Sequence, residues 1–344
     1  MPPARPVHLL RRADMLLILL TIVVSCLLYA YYGGGADRGV SRAELVEQSA
    51  TALPAPPPGE TEERPHAPSK QAAPVRFLMY NVHDYFVAKD PKRSRHTLKM
   101  KPLAEREKVA DVIATVRPEV VGLVEIGGPA ALDDLAERLA ARGLRYPHRK
   151  ALIRWTEDRA LAVLSMHPIV ADHSVAECKL LGNGSRRMLR GILDVSVQPA
   201  GDERVFRIIG AHLKSQVSND PAEAEAQRTR EARTLAAHIV GVLRRNPQAA
   251  LLVYGDWNDG PKSTALTMLT RGCGGALKRL SPQDEHGESW TIYYRDGQEY
   301  NTFDQIYVSP ALSKSMGRKS LQGIISQPSG TQPSDHRAVW CDMR

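Results

Sequence analysis

An α/β sandwich with α+β character is the fold that residues 75–344 predict, and three observations predict it. At least eight apolar or alternating runs of strand length follow one another. Helical spacings separate some of these runs but not the last ones, which argues against a purely alternating βαβ fold. Polar side chains stand where apolar runs stop or begin: Asn81, Glu125, His212, Asp256, Asn258, Asp304, Asp335 and His336. Open sheets carry functional groups at such edges, on loops held by a rigid scaffold.

The elements follow in order. Residues 75–81 alternate like a strand and end on Asn81. Residues 102–116 carry Leu103, Val109, Val112, Ile113 and Val116 at helical spacing. Residues 119–126 read as a buried strand with Glu125 near its far end. A helix follows over 129–142, stopped by Gly143. Residues 159–166, 189–197 and 205–213 read as strands, the last ending in Ala-His212-Leu-Lys-Ser. A long helix spans 221–245, with Pro221 at its start. The apolar run 249–254 is a buried strand that breaks at a turn holding Asp256. Strands over 290–294, 303–308 and 338–342 close the set.

Ahead of this domain the chain changes character. Residues 1–14 are basic, with Arg5, Arg11 and Arg12. Residues 15–32 form an 18-residue apolar run, about long enough to span a thin bilayer as a helix. The Lys/Arg excess precedes it, so the N-terminus stays inside and the remainder lies outside the cytoplasm. An uncleaved signal anchor is the favoured reading. A cleaved signal peptide, with small residues at Gly33–Ala36, and a lipoprotein signal at Val23-Val24-Ser25-Cys26 are the alternatives. Residues 33–74 hold seven prolines and few large apolar side chains, which predicts a disordered Pro/Ala-rich linker.

Acidic and basic residues balance within residues 1–74, so the net charge of +8 falls on the folded part. A basic domain favours anionic partners such as nucleic acid, phosphorylated solutes or an acidic membrane surface, although +8 over 270 residues is modest. No Cys/His spacing suggests zinc. Outside the cytoplasm one pair among Cys178, Cys273 and Cys341 is free to bridge.

Two short runs carry chemistry. In Gly255-Asp256-Trp257-Asn258-Asp259, a carboxylate and an amide at i and i+2 leave a strand end on the same side. Oxygen ligands of that type suit a hard cation such as Mg²⁺. In Ser334-Asp335-His336, a carboxylate beside an imidazole joins a metal or phosphate contact to a proton-transfer group.

With Tyr80-Asn81, Val124-Glu125, His212-Leu213-Lys214, Gly255-Asp256-Trp257-Asn258, Phe303-Asp304-Gln305-Ile306 and Ser334-Asp335-His336 in this order, the chain resembles the endonuclease/exonuclease/phosphatase superfamily. That is the Mg²⁺-dependent fold of pancreatic-type deoxyribonuclease, exonuclease III-like enzymes, neutral sphingomyelinases and inositol polyphosphate 5-phosphatases. The resemblance covers essentially all of 75–344 and implies a four-layer sandwich, two packed mixed β-sheets flanked by helices. It implies Glu125 as the main Mg²⁺ ligand (Mn²⁺ as a substitute), assisted by Asn81 and Asp335. Asp256 and Asn258 would position the attacking water and the scissile phosphate. His212 and His336 would flank the phosphate, with Asp304 orienting His336. Arg190 is a candidate phosphate clamp. Asp158 is a weaker candidate to orient His212, since Glu157 is equally placed.

The physics of the reaction agrees: attack on a phosphodiester builds negative charge on oxygens, which a divalent cation, protonated imidazoles and an Arg fork stabilise. Trp257 stands where the family usually has Phe, a packing change. Gln305 stands where Tyr, His or Arg is more usual. His212 favours the deoxyribonuclease/sphingomyelinase-like branch over abasic-site endonucleases, and no segment marks a phosphoinositide phosphatase. The basic run 89–101, with Arg186 and Arg187, reads either as solvated surface or as a loop tracking a nucleic-acid backbone. The expectation is a nuclease. A phospholipid or sugar-phosphate hydrolase is the alternative. An inactive binding module is disfavoured, because no matched catalytic position is missing.

Overall fold

Alternation builds the first strand. In β1 (Val75–Tyr85), Phe77 and Met79 face one way and Leu78 and Tyr80 the other, all fully buried. A strand apolar on both faces needs a layer on each side, and the computed structural model supplies them. It describes residues 73–87, 99–154, 157–294, 297–318, 320–326 and 333–344. The apolar run 15–32, nearly all of the 33–74 linker and most of the basic run 89–101 lie outside the described residues. Among the described residues, no helix is long and apolar enough to cross a membrane.

β1 lies inside a six-stranded sheet. On one side are β16 (Val339–Met343) and then β15 (Gln322–Ile324). On the other are β2 (Val120–Ile126), β4 (Glu157–Ser165) and β3 (His148–Arg154). The second six-stranded sheet runs β11 (Lys278–Arg279), β14 (Asp304–Val308), β10 (Ala250–Asp256), β9 (Phe206–His212), β8 (Leu193–Val197) and β5 (Ile169–Asp172). Both sheets are mixed: β1–β2 and β9–β10 are parallel, and their outer neighbours are antiparallel.

The inner faces of the two sheets share one core, including Phe77, Met79, Val195, Ile208, Leu252 and Ile306. Helices α1 (Leu103–Val116) and α2 (Pro129–Ala141) cover the outer face of the first sheet. Helices α3 (Pro221–Arg245) and α4 (Thr264–Gly272) cover the second. The four expected layers are therefore present. Each fully buried large apolar side chain contributes roughly 1.5–3 kcal/mol. Tyr254 ties the sheets together. Its hydroxyl donates to Ala162 O at 3.1 Å, and a Cβ at Gly122 or Gly210 would lie 2.6 Å from its ring.

Some elements differ from the sequence reading. The strand expected from 189 begins only at Leu193, and residues 189–191 form a loop. Gly191 there has φ 71°, and a Cβ would meet the Val175 carbonyl at 2.6 Å. The strand expected to stop at 254 continues to Asp256, because β9 and β14 pair with it to that point. The expected 290–294 strand is β12 (Ile292–Tyr294), which pairs with β13 (Glu299–Asn301) in a hairpin outside both main sheets. A second hairpin, β6 (Lys179–Leu180) with β7 (Asn183–Arg187), and the short helix α5 (Pro310–Met316) were not foreseen. Cys178, Cys273 and Cys341 are free thiols, so no bridge forms among them.

Candidate active site

Register brings the polar strand ends together. Asp256, the last residue of β10, pairs with His212 at the end of β9 and with Asp304 at the start of β14. In the first sheet, Asn81 on β1 pairs with Val124 on β2, one residue before Glu125. The two edges meet: Asn81 Nδ2 donates to Asp256 Oδ2 at 2.9 Å. His212 Nε2 lies 3.5 Å from Asp256 Oδ2 and 3.8 Å from Glu125 Oε1.

Irregular backbone aims these groups. Both pairings of β2 slip around Glu125, and Glu125 adopts φ 63°. A bulge turns a side chain away from the strand's alternation. His83, Asp84 and Asn258 are also left-handed, at φ 47°, 53° and 51°. Such conformations cost side chains of this kind up to about 1–3 kcal/mol each and cluster at functional sites. Asn258 is held by its N–H on Asp256 Oδ1 (2.9 Å) and its Nδ2 on the Leu213 carbonyl (3.0 Å).

His336 is fixed from both ends. Its Nδ1 is 2.7 Å from Asp304 Oδ2, and its Nε2 is 3.8 Å from Asp256 Oδ2. Ser334 Oγ accepts the His336 N–H at 3.1 Å and donates to the Asn81 carbonyl at 2.7 Å, fastening the last loop to β1. Thr291 Oγ1 accepts the N–H groups of Phe303 and Asp304, each at 3.0 Å.

Burial and neighbouring charge set the protonation states. Burial pushes Asp256 up to about 7, with the charges of Asp304 and Glu125 adding to it and His336 opposing. Burial, then the charge of Asp84, raises Glu125. Burial, reinforced by the Arg190, His336 and Arg159 charges, holds His212 well below the usual imidazole range. Burial would lower His336 too, but the charges of Asp304 and Asp256 outweigh it and raise the imidazole well above its usual value. The site thus pairs a neutral imidazole with a protonated one across a proton-hungry carboxylate.

Not every expected residue joins this cluster. Asp335 turns outward; its Oδ1 is 2.6 Å from His83 Nδ1 and 4.0 Å from His336 Nε2, and its side chain is 44% exposed. Burial alone would raise Asp335, but the His83 hydrogen bond and the His336 charge bring it to about 2. Arg190 is buried beside the His212 strand end, with its Nη1 donating to the Leu213 carbonyl at 3.4 Å. The expected Asp158–His212 contact is absent. His212 Nδ1 is buried with no hydrogen-bond partner, and Nε2 faces Glu125 and Asp256 instead.

Sequence reading missed Asp84, Arg159 and His83. Asp84 donates its N–H to Glu125 Oε2 at 3.2 Å and takes two bonds from Arg159 at 2.6 and 2.9 Å. The polar run Asn81-Val82-His83-Asp84 at a strand end was the available signal. At the end of the basic run, Lys101 is buried rather than solvated, with Nζ donating to the His83 carbonyl at 2.9 Å. Arg186 and Arg187 pair with Glu223 and Glu177.

Ligand atoms of Glu125, His212 and Asp256 lie within 4.8 Å of one another, as do those of Asp256, Asp304 and His336. Asp304 Oδ1 is buried without a partner. Clustered, desolvated carboxylates with no Lys or Arg bonded to Asp256 are the donor set a hard divalent cation fits.

The description "Endonuclease/Exonuclease/phosphatase family" belongs to a family model that matches residues 84–327. The chain belongs to this family. Endonuclease/exonuclease/phosphatase members are divalent-metal-dependent phosphoester hydrolases, and the chain is an enzyme of that class. No curated protein matches it by sequence. Solved structures share the fold at low identity. The human Nocturnin catalytic domain with bound sulfate anion superposes with TM-score 0.55 at 15% identity, over 79% of this chain and 94% of that one. Truncated Caenorhabditis elegans TDP2 gives 0.53 at 16%, over 78% and 97%. Beta toxin from Staphylococcus aureus gives 0.55 at 15%, over 78% and 99%.

Proposed function

We propose that the chain is a Mg²⁺-dependent phosphodiesterase acting on nucleic acid, by attack of water on a backbone phosphate. The observation that carries this reading is the continuous network Glu125–His212–Asp256–Asn81–His336–Asp304 at the meeting edge of the two sheets. Glu125 is assigned to hold the metal, with Asn81 and Asp335 assisting; Asp335 would have to leave His83 to do so. When bound, the cation supplies Lewis-acid stabilisation of the charge that develops on phosphate oxygens.

The chain's own residues do the rest. Asp256, ionised, orients and deprotonates the attacking water, and its raised affinity for protons suits it to that task. Asn258 points an amide at the same strand end and positions the phosphate. His336, protonated and oriented by Asp304, offers its charge to the phosphate or its proton to the leaving oxygen. His212 serves as a neutral hydrogen-bonding group. Arg190 adds a fixed positive charge.

Nucleic acid is supported by the net charge of +8 and by an aromatic hairpin beside the site. Ile292 bridges to His336, and on this hairpin Tyr300 is 61% exposed while its ring packs 4.7 Å from Tyr293 and 4.9 Å from Trp290. Such faces accept unpaired bases. A phospholipid diesterase is the second reading, favoured by the apolar run 15–32, which would tether the enzyme to a membrane with the domain outside the cytoplasm. A panel of single- and double-stranded DNA, RNA, sphingomyelin and inositol phosphates, each with and without Mg²⁺, separates the two. Cleavage of a nucleic acid supports the first. Cleavage confined to the lipid selects the second. Protease protection of the domain in intact cells, with digestion only after lysis, would refute the proposed location.

A further inference from the structure

Helix α3 lies outside the network above, yet one of its faces bonds to three segments on the second-sheet side of the site, at Leu189, Lys214 and Asp259. Glu231 is fully buried in the middle of the helix. Its Oε1 accepts the Leu189 N–H at 3.0 Å, and its Oε2 accepts the Lys214 N–H at 2.7 Å. Leu189 precedes Arg190, and Lys214 follows two residues after His212. One turn earlier, Arg228 donates to the Lys214 carbonyl at 3.3 Å and to Asp259 Oδ2 at 3.2 Å, next to Asn258. Gln227 Nε2 donates to Glu231 Oε1 at 3.3 Å. The spacing i, i+1, i+4 places all three side chains on adjoining parts of one helix face.

The first sheet holds the same loop from the other side. Arg154, in β3, donates to the carbonyls of Met188 and Leu189, the latter at 2.9 Å, and pairs with Glu177 at 3.2 Å. Leu189, the residue before Arg190, thus has its N–H taken by Glu231 and its carbonyl taken by Arg154. A buried carboxylate on a helix is costly unless its oxygens are used. Here both are used to fix backbone, and neither faces a cation at bonding distance. A loop that only connected two strands would need no such clamp from two layers.

We propose that Glu231 is a positioning residue for Arg190: anchored to the Lys214 N–H, it holds the Leu189–Arg190 segment so that Arg190 receives phosphate, with Arg154 as its counterpart on the first sheet. The proposal rests on the reading of Arg190 as a phosphate contact. Displacing a contact by about 1 Å can cost on the order of a hundredfold in rate. Glu231 is expected to act through Arg190, so its effect should vanish when Arg190 is gone.

The test is a double-mutant cycle on the full chain with Mg²⁺ present. It follows kcat and KM on bis(p-nitrophenyl) phosphate and, separately, the affinity for inorganic phosphate by calorimetric titration. Glu231→Ala should lower kcat/KM roughly ten- to hundredfold and weaken phosphate several-fold. Glu231→Gln, which keeps one acceptor, should recover part of both. On an Arg190→Ala background, Glu231→Ala should change neither further. Losses that multiply in the double variant, or wild-type phosphate affinity in Glu231→Ala, overturn the clamp. Unchanged phosphate affinity in Arg190→Ala overturns the reading of Arg190 itself, and the clamp with it. If Glu231→Ala does not fold, Arg154→Met gives the same cycle from the other sheet: losses that vanish on the Arg190→Ala background support the clamp, and losses that multiply overturn it.

Discussion

Asp194 and Asp256 are both buried carboxylates of the second sheet, and they sit in opposite electrostatic states. Asp194 on β8 takes two bonds from Arg207, at 2.8 and 2.9 Å, and lies 2.7 Å from His238 Nε2. Burial alone would raise it, but these partners outweigh burial and hold it at about 2. Asp256 takes hydrogen bonds from the Asn81 amide and the Asn258 N–H, with His212 Nε2 at 3.5 Å and His336 Nε2 at 3.8 Å, and burial outweighs the His336 charge and pushes it up to about 7. The same fold therefore gives one carboxylate a directly bonded guanidinium and leaves the other without a charged hydrogen-bond partner. The first is scaffold; the second has an unmet electrostatic demand, which is what chemistry at a phosphate uses.

The largest way to break this contrast is substitution of the two acids in parallel. Asp256→Asn should cut hydrolysis by about 10³-fold, with a melting temperature no lower than that of the parent. Asp194→Asn should do the reverse: it strands Arg207 and His238 and costs about 3–5 kcal/mol of stability. Activity per folded molecule should stay near the parent's. Denaturant melts beside steady-state rates check both. A destabilised Asp256→Asn protein with good activity would invert the assignment.

Asp304→Asn should come next, lowering kcat on the order of 10²-fold. Asp304 helps hold the proton on His336, so the alkaline limb of the pH–rate profile should move to lower pH. An unmoved limb would show that His336 does not act as an acid.

The pH dependence of stability sharpens the comparison without any substrate. Asp194 has a folded value below its unfolded one, so its stabilisation is full above about pH 4 and is lost as pH falls through about 2. Asp256 has a raised folded value, so the metal-free protein loses stability from this group as pH rises from about 4 to about 7. Asp256→Asn should remove the second slope and keep the first. Urea midpoints of the metal-free proteins across pH 3–8 would show both trends.

The smallest effect belongs to the surface. Arg187 pairs with Glu177 at 3.0 Å with both side chains substantially exposed. Arg187→Ala should shift stability by less than about 1 kcal/mol, as a thermal melt would register.

How much of this was legible depends on what each residue's position is decided by. The long strands β1, β2, β9 and β10 are apolar enough to be read alone, and so the edge residues Asn81, Glu125, His212 and Asp256 were found. Short edge strands were not. β7 reads Asn-Gly-Ser-Arg-Arg, and only pairing with β6 makes it a strand. α4 and α5 begin with Ser263 and Ser309-Pro310 caps, a signal that was present and passed over. Asp84 and Arg159 meet Glu125 through left-handed backbone at His83 and Asp84, which no periodicity announces. Arg190 was found by type but placed on a strand; it sits in a loop next to Gly191, whose φ of 71° and close approach to the Val175 carbonyl leave no room for a side chain.

The proposed function requires that the Asp256 edge, and not merely a stable fold, cleave phosphodiesters with a divalent cation. The most direct test incubates the full-length parent, Asp256→Asn and Asp194→Asn with single-stranded DNA and RNA, in Mg²⁺ and in EDTA, and measures cleaved phosphodiester per folded molecule. Mg²⁺-dependent cleavage is expected from the parent and from the folded fraction of Asp194→Asn, and none above background from Asp256→Asn. Equal cleavage by Asp256→Asn, or cleavage undiminished by EDTA, would overturn the proposed function.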